Sequence, residues 1–361
     1  MTSSKAIAPR VSVIVTVYKR TEFLREALES VLRQNYRNFQ IIVADDSGTA
    51  AAREIVAACG HCERINYIPN PKTLGIARSI TRAVEQAHGD YIAILNDDDL
   101  WERDMLETLV APLEADSRRV LAAADHWLMD AGGQIGHGLS ESWSADFGRA
   151  SLPEGVVKNA AEFVVVNGGA AINIASVFRK DAVDWSLVVP EIAGAYDYWI
   201  SCLLAATRRP IYYVPKRVAR WRVHRGMETA RRSHDKGQNM VYIYSTMLKR
   251  GWFSELAGIL KGKLAEALFV VGRDKLQSNR ANEARSYLWR SFLLNPHPRA
   301  LTRIATSFLP DSICAQLKAR LRRRRAATLS RKGSGEPILA KYLLDDGPPV
   351  DTSEAIEHGK G

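Results

Sequence analysis

The 361-residue sequence lacks an apolar stretch long enough to cross a membrane. Its longest nearly apolar stretch, 164–178, is interrupted by two asparagines and two glycines, and it is shorter than the roughly 20 residues that a spanning helix needs. No cleavable apolar helix follows the polar N-terminal residues 1–10. The sequence therefore predicts a cytoplasmic protein.

Cysteine is scarce, with four residues in the whole chain. Cys59 and Cys62 form a C-x-x-C pair, whereas Cys202 and Cys314 lie far apart. A zinc ribbon needs a second close pair, and a thioredoxin-like motif needs its pair at a strand-to-helix turn. Here the pair ends a predicted helix, so we interpret these residues as ordinary cysteines without a metal or redox role.

Acidic residues are absent from the segment 318–332, which carries much of the net charge of +10. Its basic residues are Lys318, Arg320, Arg322, Arg323, Arg324, Arg325, Arg331 and Lys332. This local excess disfavours a nucleic-acid-binding surface spread over the fold. With the apolar residues around it, the segment 309–332 predicts a basic amphipathic helix on an anionic membrane, on the inner face of the bilayer. A solvated basic tail is the alternative.

Strand-like and helix-like patterns alternate over the first hundred residues. Strands are predicted at 11–17, 39–44, 64–68 and 91–95, and helices at 50–58 and 77–87. A further helix is predicted after Thr21, which can cap it, with apolar residues at helical spacing from Phe23 to Leu32. The strands are short runs rich in β-branched residues, typical of strands buried on both faces. This alternation predicts right-handed βαβ units and an α/β fold with a doubly wound, mostly parallel sheet.

The remaining sequence is less regular. We predict extended segments at 120–129, 174–178, 211–214 and 218–223, an irregular loop at 140–156, and helices at 160–166, 196–206 and through 238–308. The last region includes a tetratricopeptide-like helical hairpin at 281–301. The predicted organisation is a catalytic domain over 8–230, a helical extension over 236–308, and a basic helix with a disordered tail over 309–361.

Polar residues follow the predicted parallel strands where each strand ends. They are Thr16 and Tyr18, Asp45 and Asp46, Asn70, and Asn96 to Asp99. Ligands bind at this edge of open α/β sheets. A carboxylate cluster repels itself unless a cation compensates, and Mg²⁺ or Mn²⁺ binds carboxylates together with phosphate oxygens. The run Asp97-Asp98-Asp99 therefore predicts a divalent-metal site; an acidic helix N-terminus is the alternative.

Six sequence blocks within residues 11–106 resemble the family 2 glycosyltransferases, which have the GT-A fold. The blocks are VSVIVTVY (11–18), LESVLRQ (28–34), FQIIVADDS (39–47), Asn70 with LGIA (74–77), GDYIA (89–93) and LNDDDLW (95–101). A looser similarity continues to about residue 225. The resemblance implies an inverting transferase that uses a nucleotide-sugar donor, Mn²⁺ or Mg²⁺, and a glycan or lipid-linked acceptor, in bacterial surface polysaccharide synthesis.

The resemblance also assigns the donor-binding residues. Thr16 and Tyr18 would border the base and ribose, with Tyr18 available for stacking. Asp46 would accept a hydrogen bond from the nucleotide base, with Asp45 beside it.

The D-x-D motif of the family corresponds to Asn96-Asp97-Asp98, so asparagine replaces the first aspartate. Asp98 is then the best metal ligand, and Asp97 would reach the ribose or a metal-bound water. Asn96 would lie at the donor contact usually made by the first aspartate. The replacement lowers the negative charge of the predicted site.

Inverting transfer needs one base for the acceptor hydroxyl, and a single carboxylate suffices. The family places this base beside a Trp-containing helix, which corresponds here to GAYDYW (194–199) without a Glu-Asp pair. Asp197 is the predicted base and Glu191 the alternative. The block WRVH (221–224) resembles the end of these catalytic domains. It predicts a metal or diphosphate contact for His224 and a phosphate contact for Arg222.

Three other functions remain open. A nucleotidyltransferase on a similar sheet would need a Gly-rich phosphate loop after the first strand, but residues 16–20 contain no glycine. A nucleic-acid-binding protein would leave the acidic strand ends unexplained. A catalytically degenerate transferase is suggested by Asn96 and the missing Glu-Asp pair.

Overall fold

The computed structural model describes residues 10–18, 20–61, 64–224 and 236–308. The strands in these residues are β1 (Val11–Val17), β2 (Phe39–Asp45), β3 (Ile65–Pro69), β4 (Tyr91–Asn96), β5 (Leu100–Trp101), β6 (Leu121–Met129), β7 (Gly155–Val156), β8 (Ser176–Arg179) and β9 (Ile211–Arg222). The α-helices are α1 (Thr21–Leu32), α2 (Ala51–Ala58), α3 (Ile76–Glu85), α4 (Met105–Ala115), α5 (His137–Asp146), α6 (Tyr196–Ala206), α7 (Lys236–Lys249), α8 (Ala257–Gln277), α9 (Ala281–Leu294) and α10 (Pro298–Thr306).

The described strands form one sheet in the order β3-β2-β1-β4-β8-β6-β9-β5, with β7 paired to β9. The strands β1 to β4 are mutually parallel, as predicted from their alternation with helices. β8 runs antiparallel to both β4 and β6, so the second half of the sheet is mixed. The predicted α/β fold with a mostly parallel, doubly wound sheet is confirmed.

Alternate residues of β1 contribute to the two hydrophobic layers of the protein. Val13 and Val15 pack in the layer that contains α1, α2 and α4, whereas Ile14 packs in the layer that contains α3, α6, α7 and α8. All three side chains have no exposed surface. Full burial of such a side chain stabilises the fold by about 1.5–3 kcal/mol, so covering both faces fixes the sheet that carries the site.

The helices α7 to α10 lie in the region predicted as a helical extension. α8 packs along α9, where a Cβ atom on Gly272 would lie 2.7 Å from Leu288 Cγ. The predicted hairpin at 281–301 covers α9 and the beginning of α10. Cys62, Cys314, the basic segment 309–332 and the tail to residue 361 lie outside the described residues, and the predictions made for them stay predictions.

Two local predictions are wrong. The segment predicted as an irregular loop contains α5, which tertiary hydrogen bonds hold in place: the Ser140 hydroxyl donates to Gly136 O and accepts from Leu128 N. The two predicted segments between 211 and 223 are one strand, β9, whose pairing with β6 shifts register around Asp125. A break in a hydrophobic pattern marks a register shift here and not the end of a strand.

Candidate active site

The carboxyl ends of β1, β2 and β4 bring the predicted site residues to one edge of the sheet. β1 lies between the other two strands, and Thr16 pairs with Ala44 on one side and with Asn96 on the other. Val17 pairs with Asp45 in the same register. The residues after these positions therefore leave adjacent strands together, where α/β sheets bind ligands.

Asp46 is held by the loop that leads into α3. Its Oδ1 accepts hydrogen bonds from Leu74 N at 2.7 Å and Asn70 Nδ2 at 2.9 Å, and its Oδ2 accepts one from Gly75 N at 2.9 Å. Gly75 has a φ of +83°, a conformation that favours glycine. Asp46 therefore fastens this loop to the end of β2, and its predicted contact with a nucleotide base stays a prediction.

Asp45 and Tyr18 lie beside this anchor. Asp45 accepts hydrogen bonds from Ser47 N at 2.8 Å and from the Tyr67 hydroxyl at 2.5 Å. Burial, followed by the bond to Asp45, raises the pKa of Tyr67 to about 12, so its hydroxyl stays protonated as a donor. Tyr18 is half-buried, and its backbone N–H donates to Asp97 Oδ2 at 2.9 Å. Tyr18 thus links the end of β1 to the acidic run after β4.

Asn96 stands where the D-x-D motif has its first aspartate. Both ends of its side-chain amide form hydrogen bonds within the protein. Its Oδ1 accepts hydrogen bonds from Thr16 Oγ1 at 3.1 Å and from the Tyr196 hydroxyl at 3.0 Å. Its Nδ2 donates to Asp99 Oδ2 at 3.4 Å. Because Asp99 is fully buried, an aspartate at position 96 would lose this donor and add a repelling charge.

Asp97 and Asp98 share one cationic partner, Arg20. Asp97 Oδ1 lies 2.9 Å from Arg20 Nη2, and Asp98 Oδ2 lies 2.7 Å from Arg20 Nη1. Asp97 has no exposed surface, and desolvation raises its pKa to about 7 although Arg20 acts in the opposite direction. The guanidinium therefore bridges Asp98 and a second carboxylate, Asp97, whose charge the protein interior disfavours.

His224 approaches the same oxygen of Asp98. Its Nε2 lies 3.0 Å from Asp98 Oδ2. The ring of Phe23 packs against the imidazole with centroids 5.2 Å apart, and so limits its rotation. Arg20, just before α1, and His224, just after β9, thus converge on one carboxylate oxygen of Asp98.

Arg222 and Asp99 hold the backbone around the acidic run in place. Arg222 is almost fully buried, and its guanidinium donates to Asp98 O, Ala131 O and Glu26 Oε2 at 2.8–2.9 Å. Its backbone N–H donates to Asp99 Oδ1 at 2.9 Å. Burial, reinforced by the charge of Asp98, raises the pKa of Asp99 well above its ordinary value. These contacts suit Arg222 and Asp99 to positioning the run 97–99 better than to the predicted phosphate and metal contacts.

The donor set at Asp98 fits a divalent cation. Asp98 supplies a carboxylate oxygen and His224 an imidazole nitrogen, and Mg²⁺ or Mn²⁺ completes its shell with water and phosphate oxygens. Asp97 Oδ1 is a buried oxygen without a well-directed hydrogen bond. Among the described residues, no group of three or more His, Cys, Asp or Glu side chains is arranged around a metal position. The protein thus offers a partial shell that a diphosphate would complete.

Asp197, the predicted base, lies in the first turn of α6. It directly follows Tyr196, whose hydroxyl bonds to Asn96, so α6 begins next to the acidic run. Asp197 is partly exposed, and desolvation by the surrounding protein raises its pKa. A partly exposed carboxylate with a raised pKa suits removal of a proton from an acceptor hydroxyl. The alternative, Glu191, is exposed, and its backbone carbonyl accepts from Asn239 Nδ2.

Arg20 is a residue of the candidate site that the sequence analysis missed. It directly precedes α1, and its side chain is 20% exposed. The available signal was a basic residue within the loop that follows β1, opposite several acidic strand ends. The direction of so long a side chain depends on neighbours distant in sequence, so the pattern alone does not identify its partners.

A known protein family matches the part of the chain that carries most of these residues. Residues 12–141 match the profile described as Glycosyl transferase family 2. Residues 12–141 form a family 2 glycosyltransferase domain. TuaG of Bacillus subtilis (strain 168), described as a teichuronic acid biosynthesis glycosyltransferase, is 34% identical over 100 residues, which is 27% of this chain and 40% of TuaG. The curated relatives are matched over only 14–40% of their own lengths.

Solved structures extend the similarity in fold beyond the family 2 domain. The S. aureus TarS 1-349 structure in complex with UDP-GlcNAc has a TM-score of 0.60 at 15% identity, and covers 83% of this chain and 89% of that chain. The mannosyltransferase PcManGT from Pyrobaculum calidifontis, in complex with GDP-Man and Mn²⁺, has a TM-score of 0.50 at 17% identity, and covers 83% and 84%. The predicted GT-A fold with a helical C-terminal part is confirmed.

Proposed function

We propose that this chain is an inverting glycosyltransferase that transfers a sugar from a nucleoside-diphosphate donor to a glycan or lipid-linked acceptor. The convergence of Asp98, His224 and the ends of β1 and β2 on one edge of the sheet carries this proposal. The family 2 domain over 12–141 supports the reaction class. The relative TuaG, whose description names teichuronic acid biosynthesis, supports a role in polysaccharide synthesis.

The donor would lie along the ends of β1, β2 and β4. Thr16, Tyr18 and Asp45 would border the base and ribose, with Asp46 holding the neighbouring loop in place. Asn96 joins this surface to α6 through Tyr196. The complexes of TarS with UDP-GlcNAc and of PcManGT with GDP-Man support a nucleotide-sugar donor here.

Asp98 and His224 would hold Mn²⁺ or Mg²⁺, as supported by their shared position and by the Mn²⁺ in the PcManGT complex. A bound divalent ion supplies positive charge that offsets the charge developing on a diphosphate leaving group. Asp99 and Arg222 would keep the Asp98 backbone in position. The protein then needs one further acid–base group, unlike a glycosidase, which uses two carboxylates.

Asp197 would remove the proton from the acceptor hydroxyl as that oxygen attacks the anomeric carbon. Its raised pKa and partial exposure support this role. A direct attack by the acceptor oxygen on the face opposite the leaving group inverts the anomeric configuration. Nothing in this step requires a covalent sugar–protein bond.

The acceptor side of the proposal concerns the basic segment 309–332. Among the described residues, no helix is both long and apolar enough to cross a bilayer. We propose that the basic segment 309–332 contacts anionic membrane lipids, which would bring a lipid-linked acceptor to the enzyme. Flotation with anionic vesicles tests this contact, and equal binding by the full chain and a chain ending at residue 308 would contradict it.

Transfer is tested by incubating the full chain with a panel of nucleotide sugars and Mn²⁺, and by measuring release of the nucleoside diphosphate. We expect release with one class of donor, and its loss in Asp98→Asn. Asp90→Asn is the matched control, because Asp90 lies at the opposite end of β4. Nucleoside diphosphate binding without release from any donor would favour a degenerate transferase. Release of pyrophosphate from a nucleoside triphosphate would favour a nucleotidyltransferase.

A further inference from the structure

Arg20 occupies the position where a divalent cation would contact the acidic run. Its two terminal nitrogens lie 2.9 Å from Asp97 Oδ1 and 2.7 Å from Asp98 Oδ2. Asp98 Oδ2 is also the oxygen that His224 Nε2 approaches. The guanidinium and the proposed metal ligands therefore meet at one oxygen atom.

A divalent cation at this oxygen would compete with Arg20 for the charge of Asp98. A cation held by a carboxylate oxygen and an imidazole nitrogen lies about 2.0–2.2 Å from each. Arg20 Nη1 lies 2.7 Å from the same oxygen, so the ion and the guanidinium would be in close like-charge contact. This repulsion favours movement of the guanidinium away from Asp98 when the ion binds.

Burial explains why the acidic run needs a cation even without a metal. Asp97 has no exposed surface, and Asp98 is 4% exposed. Two adjacent carboxylates at such depth repel each other and lose hydration. The Arg20 side chain is 20% exposed, so it reaches solvent, unlike the buried carboxylates that it bridges.

We propose that Arg20 is a built-in counter-cation of the metal site, which neutralises Asp97 and Asp98 until a divalent cation displaces it. This inference rests on the proposed function only for the presence of a metal. The displaced guanidinium remains at the donor edge, directly before α1, where the diphosphate would lie. Arg20 is thus a positioning residue that sets the affinity of the site for its cation.

The test is calorimetric titration of Mn²⁺ into the full chain, without donor or acceptor, for the natural protein and Arg20→Gln. Arg25→Gln is the matched control, because Arg25 is exposed on α1, the helix that Arg20 precedes, and its loss removes the same charge. We expect Arg20→Gln to bind Mn²⁺ about tenfold more tightly, as for a competing interaction of about 1.4 kcal/mol. Arg25→Gln should bind like the natural protein.

Thermal unfolding supplies a second measurement. Without Mn²⁺, Arg20→Gln should unfold at a lower temperature than Arg25→Gln, and saturating Mn²⁺ should remove most of the difference. Arg20→Lys keeps the charge but not the two-pronged contact, so its Mn²⁺ affinity should lie between the other two. This variant keeps the test available if Arg20→Gln does not fold.

Unchanged or weaker Mn²⁺ binding by both Arg20 variants would overturn the inference, as would a natural protein that binds no Mn²⁺. Failure of the transfer proposal has a different signature. Tighter Mn²⁺ binding by Arg20→Gln, without sugar transfer from any donor, would support the displacement and reject the transfer.

Discussion

The two acidic strand ends of the sheet are neutralised in different ways. Asp46, after β2, accepts hydrogen bonds from two backbone N–H groups and one side-chain amide. Asp97 and Asp98, after β4, are bridged by a single side chain, Arg20. Backbone donors fixed by a loop cannot leave without unfolding it, whereas a guanidinium can turn away. The first end therefore shapes the site, and the second can exchange its cation.

The largest predicted effect on activity comes from Asp98, at the strand end after β4. Asp98→Asn removes the charged oxygen shared by Arg20 and His224, and should lower the rate of transfer about a thousandfold while the protein stays folded. Steady-state release of nucleoside diphosphate measures this loss. A change of less than about tenfold, or an equal loss in Asp90→Asn, would show that Asp98 does not hold the catalytic cation.

Substitution of the proposed base in α6, Asp197, should give the next largest loss of activity. Asp197→Asn is expected to lower kcat about a hundredfold and to leave the donor affinity unchanged, because the base acts on the acceptor. The raised pKa of Asp197 places the acid limb of the kcat profile above the ordinary aspartate value of about 3.9, since protonation inactivates the base.

Glu191→Gln is the matched control for the base, because Glu191 is the exposed alternative near the same helix. It should retain both the rate and the pH profile of the natural protein. A normal rate in Asp197→Asn together with a large loss in Glu191→Gln would reverse the assignment.

Substitution of Asp46, at the strand end held by backbone donors, should lower the stability of the protein and change its affinity for the cation little. Asp46→Asn can keep one acceptor oxygen but places an N–H₂ group against the donors of the loop 70–75. The unpaired donors should lower the free energy of unfolding by about 2 kcal/mol, measured by denaturant titration against the exposed α2 variant Glu54→Gln. A strong loss of Mn²⁺ affinity without a loss of stability would remove the contrast between the two strand ends.

A third buried charge cluster, on β6, gives the smallest predicted effect. Asp125 is contacted by Arg149 and Arg217, and His126 beside it is buried. Desolvation, followed by the charge of Arg149, lowers the pKa of His126 well below its ordinary value.

The unfolded chain therefore binds a proton at His126 below about pH 6.5 that the folded protein does not bind, and stability falls as the pH falls. The slope from this group is at most about 1.4 kcal/mol per pH unit. His126→Asn should reduce the slope between pH 6 and 5 relative to the exposed variant His88→Asn. An identical slope in both variants would contradict the assignment.

Much of the parallel half of the sheet was predictable because its strands are buried on both faces. Continuous β-branched runs and regular spacing indicated β1 to β4, and their order placed Asp45 and Asp98 at one edge. The helix α6 was also predicted with its observed bounds. In these elements, local preference and tertiary burial favour the same structure.

The rest depended on contacts between distant residues. α5 has a polar sequence and is held by Ser140, which bonds to β6, so periodicity did not indicate it. Arg222 donates to the carbonyls of Asp98 and Ala131, contacts that the sequence pattern did not indicate, and its phosphate contact stays a prediction. The donors to Asp46 are backbone N–H groups, which no residue pattern reveals.

The cation site is tested most directly by electron paramagnetic resonance of Mn²⁺ bound to the full chain, with UDP and with GDP added in turn. We predict a nitrogen hyperfine coupling that is lost in His224→Ala, and a phosphorus coupling that appears with one of the nucleotides. Asp98→Asn should abolish both couplings. A Mn²⁺ signal without either coupling, or couplings that persist in Asp98→Asn, would contradict a cation shared by Asp98, His224 and a diphosphate.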